Sequence, residues 1–420
     1  MNYLKRLVDQ VLYDLLQSEP SAVLMVGPRA SGKTTTATQF AQTTIRLDRL
    51  EEASVARNNP DATVAMGNDP VLLDEWQLVP EVLGAVKRSV DALGGTRRFI
   101  LTGSAGTDQG PAGWPMTGRV VRVQMWGVTE REVRAHTMGG SIIDHLFDDS
   151  IDQLDANTEL DIRDYCELAL RGMSPDIALN VSVVNRHRRI GGYIDQLVTR
   201  DQANVDAVRD PRRLRRYLSA IAANTAGIVQ LSTLIDASQI DRLTANAYDS
   251  LLELLFATEQ IPAWSTNRLS RLSKLPKRYV TDPAFLAPLL GADLRGLMRN
   301  ADLLGRTIDT FVLAQLRPEL EVCRPGVKFF HLRTDHGRQE ADLLLEAPNG
   351  QVVAIEIKAT SSPELSDARH LLWLRQQLGD SLASGVLFHT GRFVHRLDER
   401  IYAIPVAAIW GLHPQVDGHE

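Results

Sequence analysis

Cysteine is scarce: Cys166 and Cys323 are the only two in 420 residues, far apart and without a CxxC motif or a Cys/His cluster beside either. That excludes a disulfide framework or a zinc site as the organising feature and points to a reducing compartment. Long apolar runs are missing too. No stretch approaches the roughly 20 apolar residues that span a bilayer. The opening segment from Met1 to Gln10 mixes charges with apolar residues at helical spacing instead of carrying the unbroken apolar core of a signal peptide. The expectation is a cytoplasmic protein with no membrane partner. A basic excess is absent as well, since 46 Lys and Arg against 52 Asp and Glu leave a net charge of -6. That argues against a chain that coats nucleic acid, while leaving room for local basic patches. Internal repeats and low-complexity tracts are not found.

What is present is ordinary globular material, 44% hydrophobic and 23% charged, in a chain longer than one hydrophobic core usually supports. The expected class is α/β. A helix pattern over residues 4–17 leads into the apolar run Ala22 to Val26, and further short runs follow at Val71 to Asp74, Phe99 to Thr102 and Arg119 to Gln124. Their alternation with helix-length segments predicts a parallel sheet covered by helices on both faces. The chain turns acidic and irregular after about residue 140. Apolar-periodic patterns over 211–260 predict a helical region with little strand signal. After Asp302, a helix pattern (Ile308 to Leu316) gives way to strand-like runs at 329–332, 341–345, 352–357, 385–388 and 401–405, with a helix near 368–377. The reading is four segments: residues 1–140 for a nucleotide-binding sheet, 141–205 for a helical linker or lid, 206–295 for a helical middle domain, and 296–420 for a mixed α/β domain.

The segment Gly27-Pro28-Arg29-Ala30-Ser31-Gly32-Lys33-Thr34 satisfies GxxxxGK[ST] at every fixed position, between a predicted strand and a predicted helix. Backbone N–H groups of such a loop point at phosphate oxygens, and the helix that follows presents the positive end of its dipole to the same charge. Lys33 is expected to neutralise the β- and γ-phosphates of ATP and the Thr34 hydroxyl to ligate magnesium, with Thr35 completing the nucleotide-binding set. Val71-Leu72-Leu73-Asp74 followed by Glu75 places two carboxylates at the tip of an apolar strand, which is costly without a cation or hydrogen bonds. Asp74 is expected to hold the water shell of Mg²⁺, and Glu75 to orient or deprotonate the attacking water. The third strand ends Thr102-Gly103-Ser104, where Thr102 or Ser104 is either a polar sensor of the γ-phosphate or a turn or cap residue. Arg119 offers a cation that reaches a phosphate in its own or a neighbouring subunit, or else remains a surface residue.

The last domain carries its own constellation. Asp342 lies in one predicted strand, and Glu356 and Lys358 lie two apart, hence on one face, of the next. Antiparallel pairing of these strands brings the two carboxylates together as a magnesium site that activates water, with Lys358 beside it. In the middle region, residues 231–240 and 241–256 have the pattern of a helix-turn-helix, but the second helix opens with Asp241 and a single Arg242. That is poor equipment for a phosphate backbone. Stronger basic clusters stand at 186–189 and 212–216.

The order of these motifs resembles a family of prokaryotic AAA-type P-loop ATPases. The stretches that carry the resemblance are Val71 to Gln77 (VLLDEWQ), Ile100 to Ser104 (ILTGS), Thr117 to Val120 (TGRV), Gly191 to Tyr193 (GGY), Pro276 to Asp282 (PKRYVTD) and Ile355 to Lys358 (IEIK). In that family a winged-helix-like region and a C-terminal nuclease-like domain follow the ATPase domain. The resemblance therefore implies a winged-helix-like fold for 206–295 and a PD-(D/E)xK, restriction-endonuclease-like fold for 296–420. It also places Asp309, on the preceding helix, as a further acidic metal ligand where related sequences carry Glu. Three functions follow as expectations. The first is an ATP-hydrolysing switch or motor whose nuclease-like domain, with Glu356 and Lys358 as catalytic residues, acts on or docks to DNA or RNA. The second is a non-nucleolytic regulator with a protein partner, DNA or a homo-oligomer. The third, a small-molecule kinase, is disfavoured because no lid or acceptor motif follows the P-loop.

Overall fold

The computed structural model describes residues 3–18, 22–92, 98–103, 116–137, 139–151, 154, 158–199, 210–271, 274–334 and 337–411. The chain divides into two compact units, Met1–Val128 and Thr129–Glu420.

The first unit is built on β1 (Ala22–Val26), β2 (Thr43–Arg46), β3 (Val71–Asp74), β4 (Phe99–Thr102) and β5 (Val120–Gln124). They form an all-parallel sheet in the order β2-β3-β4-β1-β5. Every residue of β1, β3 and β4 is buried, as a sheet with two covered faces requires. Val23, Met25, Leu72 and Ile100 pack against Val8, Leu12 and Leu16 of the helix Val8–Gln17. Leu24, Leu73 and Leu101 alternate to the other face and are equally buried. Four of the five strands lie where the apolar runs predicted them. β2 is the addition, a short strand of threonines and one arginine on the sheet edge, whose half-exposed residues leave no apolar signature.

The second unit centres on a mixed sheet of β8 (Lys328–Arg333), β9 (Glu340–Glu346), β10 (Val352–Lys358), β11 (Leu382–His389), β12 (His395–Asp398) and β13 (Ile401–Pro405). Its order is β12-β13-β11-β10-β9-β8. β8, β9 and β10 run antiparallel, whereas β11 joins β10 in parallel after the helix Arg369–Leu378 crosses over. One face packs on the helix Ala301–Leu316, whose last ten residues are all buried. The helices Ile142–Phe147 and Ile162–Ala169, in the segment expected as a linker or lid, enter this same core: Ile142, Ile143, Leu146, Tyr165 and Cys166 pack with Phe311, Val386 and Trp410.

The middle region is not wholly helical. After the helices Pro211–Ala223, Leu231–Ser238 and Arg242–Leu254 comes an antiparallel pair, β6 (Thr258–Ile261) and β7 (Lys277–Val280). The pattern hid these strands because a charged or amide side chain occupies both middle positions of β6 and the first two of β7. Among the described residues no helix is long and apolar enough to cross a membrane.

Candidate functional site

Parallel strands end on one edge of a sheet, and three of these endings converge. In the register, Met25 pairs with Thr102 and Thr102 with Asp74, so the tips of β1, β4 and β3 stand level. The P-loop leaves β1 there. Its sharp path uses left-handed backbone at Ala30 (φ 56°) and Gly32 (φ 97°) before the helix Lys33–Phe40 begins. Gly27 has a steric reason: a Cβ there would lie 2.0 Å from the carbonyl oxygen of Met125.

Lys33 Nζ lies in the mouth of the loop, donating to the carbonyls of Gly27 (3.0 Å) and Pro28 (2.8 Å). Burial pushes its ammonium down to about 8, against the opposing pull of the Glu75 and Asp74 charges. The buried Asp74 accepts two hydrogen bonds on Oδ1, from Thr34 Oγ1 at 2.7 Å and Thr102 Oγ1 at 2.5 Å. Charge-assisted bonds of this kind offset the desolvation of a carboxylate. Thr102 thus stands between the P-loop strand and the acidic strand, bonded to the latter's carboxylate. Glu75 follows in left-handed backbone, φ 56° and ψ 45°, and accepts a short bond from Gln77. A non-glycine residue held there costs on the order of 1 kcal/mol, a strain that marks functional positions.

A cleft of about 520 Å³ is lined by Arg29, Ala30, Gly32, Lys33, Thr34, Thr35, Asp48, Glu75 and Leu78. Hydroxyl and carboxylate oxygens from Thr34 and Asp74 are hard donors of the kind magnesium takes. Two contributors went unread in the sequence. Asp48 arrives just beyond the tip of β2, beside β3, and its strand carried no signal. Arg6 is buried behind the loop and donates to the carbonyls of Ser31 (2.7 Å) and Trp126 (2.8 Å), tying the P-loop to the segment after β5.

Arg119 is not brought to this cleft. β5 runs parallel to β1 with Val120 opposite Ala22 and Gln124 opposite Val26, so Arg119 precedes the strand at the end opposite the P-loop, five residues and about 17 Å from the P-loop end at 3.3 Å per residue. Its guanidinium is paired with Asp91 at 2.6 and 3.2 Å. A role at its own phosphates is therefore corrected. Ser104 lies outside the described residues.

In the second unit, the β9–β10 register runs to Leu343 opposite Ile355, which sets Asp342 beside Glu356 at the next position. Asp309, Asp342, Glu356 and Lys358 all line one pocket of about 760 Å³, with Arg306, Arg333, Arg369 and His370 also on its walls. Lys358 Nζ lies 3.2 Å from Glu356 Oε2, while Glu356 Oε1 is buried with no hydrogen-bond partner. Burial, with the Asp342 charge beside it, pushes Glu356 up to about 8.

In the sequence Lys277 stands out only as part of the PKRYVTD motif, yet it sits at the centre of this group. Its Nζ donates to Asp309 Oδ2 at 2.7 Å and to Asp342 Oδ1 at 2.9 Å. Tyr279 donates to Asp309 Oδ1 at 2.9 Å, and the Ile357 amide to Asp342 Oδ2 at 2.9 Å. Burial works against the ionised form of Asp342, but Lys277 and the Ile357 amide hold it below the usual carboxylate range. Burial raises Asp309 to about 6. Among the described residues no group of three or more His, Cys, Asp or Glu side chains is placed to hold a metal ion. Of the expected ligand set, Asp309 and Asp342 share the Lys277 ammonium, while Glu356 is paired with Lys358. The basic clusters at 186–189 and 212–216 are partly neutralised, Arg189 by Asp176, Arg213 by Asp210 and Arg215 by Asp195.

Residues 19–134 match the AAA domain family, and residues 162–295 and 304–409 match two families described as domains of unknown function, DUF8612 and DUF4143. Uncharacterized proteins of Mycobacterium bovis and Mycobacterium tuberculosis are each 28% identical over 405 residues, covering 92% of this chain and 80% of theirs. Among solved structures, a Walker-type ATPase of Pyrococcus abyssi aligns with 14% identity and a TM-score of 0.40, over 67% of this chain and 94% of its own. A McrB AAA+ hexamer assembly with bound McrC from Thermococcus gammatolerans aligns with 11% identity and a TM-score of 0.20, over 69% and 75%. On the AAA match and the geometry at Gly27–Thr34 and Asp74, the first unit is an AAA-type, P-loop ATPase-like domain.

Proposed function

We propose that this protein binds ATP with magnesium in the cleft of its first unit and hydrolyses it, using the cycle to switch the state of its second unit. The observation that carries the reading is the joint hold of Thr34 and Thr102 on one oxygen of Asp74, which ties the P-loop, the acidic strand and the intervening strand into one hydrogen-bonded set. Thr34 and Asp74 would hold magnesium, whose charge would neutralise the phosphates. Lys33 binds the β- and γ-phosphates, turning from the loop carbonyls it now bonds. Glu75 orients the attacking water and accepts its proton. Thr102 reports the nucleotide state along β4. Arg119 acts, if on phosphate at all, on that of a neighbouring copy.

For the second unit, the pocket walls of Lys358, Arg333, Arg369 and Arg306 suit a phosphodiester backbone, so docking to DNA or RNA is the proposed partner chemistry. The nuclease-like reading draws support from the order helix, three antiparallel strands, crossover helix and parallel strand, with Asp342, Glu356 and Lys358 on one pocket. A fold order by itself establishes no cleavage. The test of the ATPase is a pair of variants. Lys33→Ala should lose both tight ATP binding and phosphate release, whereas Glu75→Gln should keep binding and stop turnover. Wild-type ATP affinity in Lys33→Ala would remove the P-loop assignment.

A further inference from the structure

A carboxylate cluster buried beside an apolar core must be neutralised, by a metal, by protons or by an internal cation. In the second unit the cation is already built in. Lys277 is 2% exposed and its Nζ bridges the two nearest carboxylates, Asp309 and Asp342. A divalent ion accepting those same oxygens at 2.0–2.6 Å would have to occupy the ammonium's own volume.

Lys277 is not free to leave. Its strand β7 is paired with β6 over four residue pairs. The neighbouring Arg278 makes a two-pronged bond to Asp249, both at 2.8 Å, and its amide bonds Gly227. Val280 N is held by Thr225 Oγ1. The chain leaving β6 is fastened to the edge of the main sheet by Trp264 N to His331 O at 2.7 Å and His331 N to Pro262 O at 3.0 Å. A lysine whose backbone is anchored on both flanks keeps its ammonium within reach of these two carboxylates.

We propose that Lys277 is the resident cation of the Asp309–Asp342–Glu356 pocket, so that this pocket takes its ligand without a divalent metal. A second observation points to the latent site that Lys277 fills: Glu356, 2% exposed, lines the pocket with Oε1 unpartnered. The inference rests on Asp342, Glu356 and Lys358 forming one site, and is independent of ATP hydrolysis.

The experiment is Mn²⁺ titration of the full chain without nucleotide, by calorimetry or electron paramagnetic resonance, with the double variant Asp342→Asn, Glu356→Gln as the control that subtracts any Mn²⁺ held in the first unit. Wild type and control should bind the same number of ions. Lys277→Gln should gain one Mn²⁺ per chain and a Tm that rises with Mn²⁺, both lost when Asp342→Asn is added. A wild-type Mn²⁺ site that the control lacks would overturn the proposal and leave the metal-dependent nuclease reading standing. A folded Lys277→Gln protein that gains no ion would also overturn it, by showing that the carboxylates are no latent metal site. If Lys277→Gln does not fold, the wild-type and control comparison decides alone.

Discussion

Glu356→Gln tests the electrostatics of the second unit. Burial and the Asp342 charge raise Glu356 to about 8, against about 4.3 in an unfolded chain. The sign follows from linkage: between those values the folded state holds a proton that the unfolded state has released, so stability is full below about 4.3 and is lost as pH rises through about 8. Glu130, Glu253 and Glu319 are also raised by burial, but they act alike in wild type and variant, so the difference between the two proteins isolates Glu356. His331 and His389, pushed by burial down to about 4, act only below about 6.5. Asp282 and Asp309, raised by burial to about 6, have finished by then. Lys33, lowered to about 8, acts above that. From pH 6.5 to 8, Glu356 alone costs up to about 1.4 kcal/mol per pH unit, or about 2 kcal/mol in all. That is about 4 °C in Tm for a unit of this size. Scanning calorimetry across the window should show the wild-type transition falling by that amount relative to Glu356→Gln. Glu356→Gln mimics the protonated acid and lacks this slope, so it should already stand about 3 kcal/mol above wild type at pH 6.5, and the gap should widen by about 2 kcal/mol up to pH 8. An equal fall in both proteins would refute the placement of this titration on Glu356.

Thr102→Val removes one of the two bonds to the buried Asp74 carboxylate and should cost the first unit about 1.5–3 kcal/mol in denaturant titration; an unchanged midpoint would show that the bond contributes nothing net. Arg119→Ala should leave ATP binding intact, because Arg119 stands at the end of β5 opposite the P-loop. If the protein oligomerises and Arg119 acts across the boundary, mixing that variant with Glu75→Gln should restore part of the lost turnover, and no recovery would confine Arg119 to its pairing with Asp91.

Legibility in the sequence followed apolar burial, not burial as such: β7 is wholly buried but opens with Lys277 and Arg278. β1, β3 and β4 announced themselves because every residue is buried and apolar except at the functional tips, and those polar exceptions, Asp74 and Thr102, were read as site residues for that reason. The P-loop was legible because its backbone demands fixed residue types. β2, β6 and β7 were not, since edge and hairpin strands take polar residues that periodicity reads as loop. The most consequential omission, Lys277, had the same cause: a buried lysine looks like any other member of a basic stretch until the fold places two carboxylates around it. Arg119 illustrates the reverse error, because a residue at the start of a strand and one at its end differ by a sheet's width that linear spacing does not reveal.

The helix Ile142–Phe147 lies in the core with β11, where Ser384 Oγ donates to the Leu146 carbonyl at 2.7 Å. Tyr165, from the helix Ile162–Ala169, accepts on its hydroxyl oxygen from the Ala407 N–H at 3.2 Å and packs against Trp410. The first and last segments of this unit therefore meet only when nearly all of it has been synthesised. During translation the P-loop unit has every strand it needs once residue 124 has emerged, whereas the second unit must keep Ile142, Tyr165 and their neighbours unsatisfied for more than 200 further residues. Closing such long loops is slow and leaves apolar surface open to chaperones and to aggregation. A fragment cut near residue 300 would retain the sheet and the helix Ala301–Leu316 but lose the helices Ile142–Phe147 and Ile162–Ala169 that complete its core.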